Sequence, residues 1–178
     1  MILEDVVRLI RCYKNALKEN PFPDILGKQS STAEIISLLK RNQYSIGPYC
    51  SITIFEAANR IASDLTLMDG VCSILQRSNW RDSTVKLRLG TMQENGCGDF
   101  TVRKDKDRWE GEAFDVAPSF FNSKLYATLK KWKHKNVLKF IVFNADVLKN
   151  RKCSQYCESG LKKWKKLSCK KSVVWHFT

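Results

Sequence analysis

Apolar residues along the first half of the chain recur at helical spacing, and after residue 84 the pattern changes to strand-like alternation. Leu3, Val6, Val7, Ile10 and Leu17 predict a helix over residues 2–18, and Asn20-Pro21-Phe22-Pro23-Asp24 ends it. Ser31-Thr32-Ala33-Glu34 has the form of a capping box and opens a short helix with Ile35, Leu38 and Leu39 on its apolar face. Gly47-Pro48 marks a turn. Ile54, Ala58, Ile61, Leu65, Met68, Cys72 and Leu75 then alternate spacings of four and three, which predicts a long helix with one buried stripe. Thr53 and Glu56 can cap its start, and Asn79-Trp80-Arg81-Asp82 closes it. Strands are predicted over 85–89, 98–104 and 108–116, and a helix over 121–133 with Phe121, Leu125, Thr128, Leu129 and Trp132 inward. A last helix or turn is expected over about 158–167, and a final strand at Ser172–Trp175.

The segment Val137–Phe143 is almost wholly apolar. A strand of that kind is expected when helices cover both faces of the sheet, as in a parallel crossover. The order from residue 54 to 143 is therefore helix, strand, strand, strand, helix, strand: an α/β chain with a mixed central sheet flanked by helices. The expected organisation is a single domain, with an N-terminal helical segment (1–50), a core (51–145) and a C-terminal extension (146–178). With 43% hydrophobic residues among 178, the chain can bury a core. No apolar run has the length of a membrane span. The first residues carry Glu4 and Asp5 and no signal-peptide pattern, so a cytoplasmic protein with no membrane partner is expected. In that compartment the seven irregularly spaced cysteines read as reduced thiols. A zinc site from Cys153, Cys157, Cys169 and His176 is the weaker alternative, because the spacing is loose.

Charge sharpens the picture. The net charge of +13 arises entirely from residues 119–178, which hold 15 Lys and Arg against Asp146 and Glu158. Such asymmetry suggests a polyanionic partner. Lys124, Lys130, Lys131, Lys133, Lys162, Lys163, Lys165 and Lys166 are the expected phosphate contacts, with Trp132, Trp164 and Trp175 interleaved among them. For Trp132 the competing role is core packing, since it continues the apolar face of its helix.

The candidate chemistry lies on the strands. A hairpin loop centred on Asp105-Lys106 makes ladder partners sum to 211, so residue 103 faces 108, 101 faces 110 and 99 faces 112. Directly opposed residues point to one face, with Cβ atoms about 4.5–5.5 Å apart. Asp99 and Glu112 would then be forced together, with Glu110 two positions along on the same side. Opposed like charges are destabilising, so such a pair calls for a cation, and a divalent metal is the obvious candidate. The competing reading is a solvated hairpin face on which Arg103 and Arg108 pair with the acids.

This element order, with Asp99 in Gly98-Asp99-Phe100 and the run Glu110-Gly111-Glu112 on the second and third strands, resembles the restriction-endonuclease-like PD-(D/E)XK nuclease superfamily over residues 54–145. Asp99 matches the first acid of the family pattern. Glu110-Gly111-Glu112 resembles the variant of the second motif in which glutamate replaces lysine. The resemblance implies a restriction-endonuclease-like core, Mg²⁺ (Mn²⁺ as substitute) held by Asp99, Glu110, Glu112 and the Ala113 carbonyl, and hydrolysis of DNA. A role in restriction is implied, and a homodimer fits the cutting of two strands by two copies of one site. The preceding helix often supplies another acid in this family, and Glu56 is placed for that; the alternative for Glu56 is a capping role with Arg60 as its i+4 partner. Two departures stand out. Gly98 replaces a common proline, and no lysine follows the third-strand acid. Counting Glu112 as that acid puts Phe114 at the lysine position, and Lys124 is the expected substitute as a phosphate-stabilising catalytic residue. Two rival functions remain at this level: a nucleic-acid-binding protein that does not cut, and an interaction protein whose lysines meet an acidic protein.

Overall fold

The computed structural model describes residues 1–24, 31–90, 97–133, 137–161, 164–168 and 172–177. It is a mixed α/β protein with five α-helices and a six-stranded mixed sheet among these residues. The chain divides into two compact units. One comprises Val7–Ala62, the other Met1–Val6 with Ser63–Thr178.

The smaller unit holds most of helix α1 (Leu3–Glu19), helix α2 (Thr32–Arg41), strands β1 (Gln43–Ile46) and β2 (Tyr49–Thr53), and the start of helix α3 (Ile54–Leu75). The capping box of α2 forms as expected: Glu34 N donates to Ser31 Oγ, and Ser31 N donates to Glu34 Oε2. Gly47-Pro48 proves to be the turn of a β1–β2 hairpin that the apolar pattern does not reveal. Gly47 has φ +57° and a built Cβ would lie 2.6 Å from the Leu17 side chain, so glycine is required there on both counts. The start of α3 is capped by Thr53, whose Oγ1 accepts from Glu56 N.

In the larger unit the strand order is β3 (Thr84–Leu87), β4 (Phe100–Lys104), β5 (Asp107–Phe114), β6 (Leu138–Asn144), β8 (Ser172–Phe177) and β7 (Trp164–Ser168). Helix α4 (Pro118–Trp132) carries the chain from β5 to β6, which pair in parallel; every other ladder is antiparallel. The apolar run of the β6 region is thus the parallel crossover strand its composition predicts. Alternate β6 residues serve opposite faces. Ile141 and Phe143 join Phe121, Leu125 and Trp132 of α4 in one core. On the other face Val142 presses on Gly70 of α3, where an added Cβ would lie 2.3 Å from Val142 Cγ1. The expected stripe on α3 is only partly the buried one: Ile54, Ile61, Met68 and Leu75 are buried as expected, Leu65 and Cys72 are half-buried and Ala58 is exposed, while Ala57, Asp64, Leu67, Val71 and Ile74 are buried instead, because the helix is covered over more than one narrow stripe.

The C-terminal expectation needs correction. A helix, α5 (Arg151–Gly160), begins earlier than the predicted 158–167, and Trp164–Ser168 is a strand. Asn150 sets the start by accepting from Lys152 N and Cys153 N, and Cys153 and Cys157 pack in the core at helical spacing. Among the described residues no helix is long and apolar enough to cross a membrane.

Candidate functional site

The β4–β5 hairpin has the register that the turn dictates. Thr101 pairs with Glu110, Val102 with Trp109 and Arg103 with Arg108, and the ladder runs to Phe100 with Gly111. Gly111 is required by close approach: a Cβ built there would meet the Phe100 ring at 2.1 Å. Its lack of a side chain lets the ring cover the backbone between the two glutamates. Gly98 is equally confined, its built Cβ falling 2.3 Å from the carbonyl oxygen of Gly111. These two contacts clamp Asp99 beside β5. Its Oδ2 accepts a 2.8 Å hydrogen bond from Ala113 N.

Asp99 and Glu112 line one pocket of about 400 Å³, together with Ala113, Asp115, Lys124 and Lys131. Burial, followed by the charge of Glu112, pushes the Asp99 carboxyl from 3.8 up to about 6; the Ala113 N–H and then Lys124 and Lys131 pull the other way. Glu112 is buried, and its Oε1 accepts from Lys131 Nζ at 2.6 Å and from Trp132 Nε1 at 2.7 Å. Among the described residues Asp99 Oδ1 and Glu112 Oε2 accept no hydrogen bond. Lys124 Nζ lies 5.7 Å from the centroid of the Phe114 ring. Asp115 sits at the pocket margin, accepts from Thr66 Oγ1 at 3.1 Å, and is raised by its own burial.

Glu110 stands on the same sheet face, but its carboxylate belongs to a different group. Oε1 accepts from Arg108 Nε at 2.9 Å and Nη2 at 2.8 Å, Oε2 accepts from Gly98 N at 3.0 Å, and Thr101 Oγ1 lies within 3.1 Å of both oxygens. Buried Arg88 adds a longer ion pair at 3.8 Å. The expected three-acid cluster is therefore a two-acid pocket with Glu110 turned aside, because the arginines outcompete an acid-lined site for it. Among the described residues no group of three or more His, Cys, Asp or Glu side chains gathers as a metal-holding set. Glu56 lies in the smaller unit and is paired with Arg60, its i+4 neighbour.

The lysines divide. Lys124 and Lys131 line the pocket, whereas Lys130 on α4 and Lys133 just after it are exposed. Lys165 and Lys166 are exposed on β7; Lys162, Lys163 and Cys169 lie outside the described residues. Trp132 is a core residue that also serves the site through its indole N–H. Sequence reasoning missed the pairing of Lys131 with Glu112 and the presence of Asp115. The signal for Lys131 was its i+7 spacing from Lys124, which sets both on one helix face. Cys157 is pushed up to about 12 by burial and next by Cys153, which keeps it a protonated core thiol.

Comparison of the chain with protein-family models, curated proteins and solved structures gives no match.

Proposed function

We propose that the protein is a metal-dependent DNA endonuclease with a restriction-endonuclease-like core. The observation that carries this reading is the pocket holding Asp99 and Glu112, each with one oxygen accepting no hydrogen bond from the described residues, faced by Lys124 and Lys131 from the crossover helix. The topology supports it: helix α3, strands β3 to β5, helix α4 and strand β6 follow the element order on which the resemblance rests.

The donor chemistry fits Mg²⁺, which takes hard oxygen ligands and keeps several waters, so two carboxylates suffice. Asp99 Oδ1 and Glu112 Oε2 are the oxygens that would hold it. Once bound, the ion would neutralise the two acids, activate a water and offset charge on the phosphate. The chain's own residues do the rest. Trp132 and Lys131 fix the Glu112 carboxylate through its other oxygen, and Ala113 N–H fixes that of Asp99, so both acids are preorganised. Lys124 and Lys131 offer positive charge to the phosphate undergoing substitution. Lys124, poised over Phe114, brings its ammonium near the strand position left without a lysine.

The test is incubation of supercoiled plasmid with the protein and Mg²⁺ or Mn²⁺, beside Asp99→Ala. Metal-dependent conversion to nicked or linear DNA by the wild type alone is expected. Retarded migration without cleavage at any metal concentration overturns the reading in favour of a binding protein, a role the Lys131–Glu112 ion pair would suit because it already neutralises one acid.

A further inference from the structure

The register arranges the pocket side of strands β3 to β5 in rows. Thr84, Arg103 and Arg108 lie directly opposite one another across the three strands, and Lys86, Thr101 and Glu110 form the next row. Directly paired residues share a face. A third row, reached by continuing the register, holds Arg88, Asp99 and Glu112, and Arg88 N donates to Asp99 O at 2.9 Å. The first row is exposed and cationic, Thr101, Glu110 and Arg88 behind it are buried, and Asp99 and Glu112 lie at the pocket.

The cationic end is costly on its own. Arg103 is paired directly with Arg108, and like charges in that position destabilise a ladder. Arg108 is partly relieved by Glu110, but Arg103 makes no hydrogen bond or ion pair with the described residues. Thr84, Lys86, Arg103 and Arg108 are all exposed. From the first row to the third is four residues along a strand, about 13 Å.

We propose that Lys86, Arg103 and Arg108 form a docking track for the sugar–phosphate backbone of duplex DNA at the hairpin end of the sheet, from which the duplex reaches across the buried Thr101–Glu110 pair to the Asp99–Glu112 pocket. The inference rests on the nuclease reading for the identity of its polyanion and adds the path the substrate takes. It places part of the binding charge in the electrically balanced portion of the chain, away from the lysine-rich C-terminal third. Such contacts hold a duplex by its phosphates, a mode that positions the substrate without reading bases.

The experiment measures fluorescence anisotropy of a labelled 26-base-pair duplex with EDTA present, from 50 to 200 mM salt. Wild type, Arg103→Ala and Lys149→Ala are compared; Lys149 is an exposed lysine paired with Asp146. Lys149→Ala removes the same charge from the protein, so it controls for net charge. Arg103→Ala is expected to weaken binding about five- to tenfold at low salt and to flatten the slope of log K against log salt by about 0.9, the loss of one phosphate contact. Its melting temperature should hold or rise, because the opposition to Arg108 is relieved. Lys149→Ala should bind like the wild type. Equal binding by Arg103→Ala and the wild type, equal losses in both variants, a dependence on Arg103 seen with single-stranded RNA alone, or no binding by the wild type would each overturn the track. Plasmid cleavage by an Arg103→Ala protein with unimpaired binding would leave the endonuclease standing and remove the track. Arg103-dependent binding without cleavage by the wild type would do the reverse.

Discussion

Asp99→Asn should make the protein more stable at alkaline pH and leave it unchanged in acid. Asp99 is held among buried groups and beside Glu112, and its carboxyl titrates at about 6 in the fold against 3.8 when unperturbed. The folded state therefore binds the proton more tightly than the unfolded chain. Below pH 3.8 both states are protonated and Asp99 costs nothing. As pH rises towards 6 the unfolded chain ionises first and stability is lost; above that the full cost is in place. At about 1.4 kcal/mol per pH unit, the ionised carboxylate costs about 3 kcal/mol at pH 8. Asparagine removes the charge while its carbonyl can still accept from Ala113 N. Urea unfolding followed by tryptophan fluorescence at pH 8, 5 and 3.5 reads the difference. With a urea slope of about 2 kcal/mol per molar, the Asp99→Asn protein should unfold about 1.5 M later at pH 8, with the gap closing by pH 3.5. Mg²⁺ should raise the wild-type midpoint at pH 8 and leave that of the variant in place. Coincident midpoints at pH 8, or a variant weaker at every pH, would mean that the ionised Asp99 carboxylate carries no such cost in the fold.

Glu112→Gln should lower the Asp99 pKa towards 3.8, as read by carboxyl NMR titration; a value that stays near 6 would mean burial alone raises it. Glu112→Ala should cost about 1–3 kcal/mol more than Glu112→Gln in urea unfolding, because only alanine leaves the buried Trp132 N–H without its acceptor. Gly111→Ala should cost about 1–3 kcal/mol, since the new methyl group meets the Phe100 ring, and Phe100→Leu in the same chain should recover part of that loss. Glu110→Ala should destabilise by about 1–3 kcal/mol by leaving the buried Gly98 N–H without its carboxylate acceptor, yet leave Mn²⁺ binding measured calorimetrically intact. Loss of metal binding in that variant without loss of stability would return Glu110 to the ligand set.

The parts legible in the chain were those set by period and turn geometry. The period-two alternation around Asp105-Lys106 sufficed for the hairpin register, and with it the sharing of a face by Asp99, Glu110 and Glu112. The apolar run before Phe143 likewise announced the parallel crossover. What stayed hidden depended on which partner wins a side chain. Glu110 and Glu112 look equivalent along the strand, but Arg108 shares the face of the first, and Trp132 and Lys131 reach the second from a helix that begins four residues after β5 ends. Spacing along the sequence could suggest Arg108 as a competitor; it could not show that Arg88 would be buried beside it. Strand β7 was obscured because Trp-Lys-Lys-Leu-Ser is short and basic, with no alternation to separate it from a helix end. The β1–β2 hairpin was obscured because its strands are only four and five residues long, too short for an alternating pattern to stand out.

If Asp99 and Glu112 hold a divalent ion between them, the ion can be seen directly. Crystals grown with Mn²⁺ test it most directly through anomalous scattering. One strong peak is expected in the pocket, within coordination distance of Asp99 Oδ1 and Glu112 Oε2, and it should be lost in Asp99→Asn. A pocket without a peak at saturating Mn²⁺, with Lys131 still seated on Glu112, would contradict it.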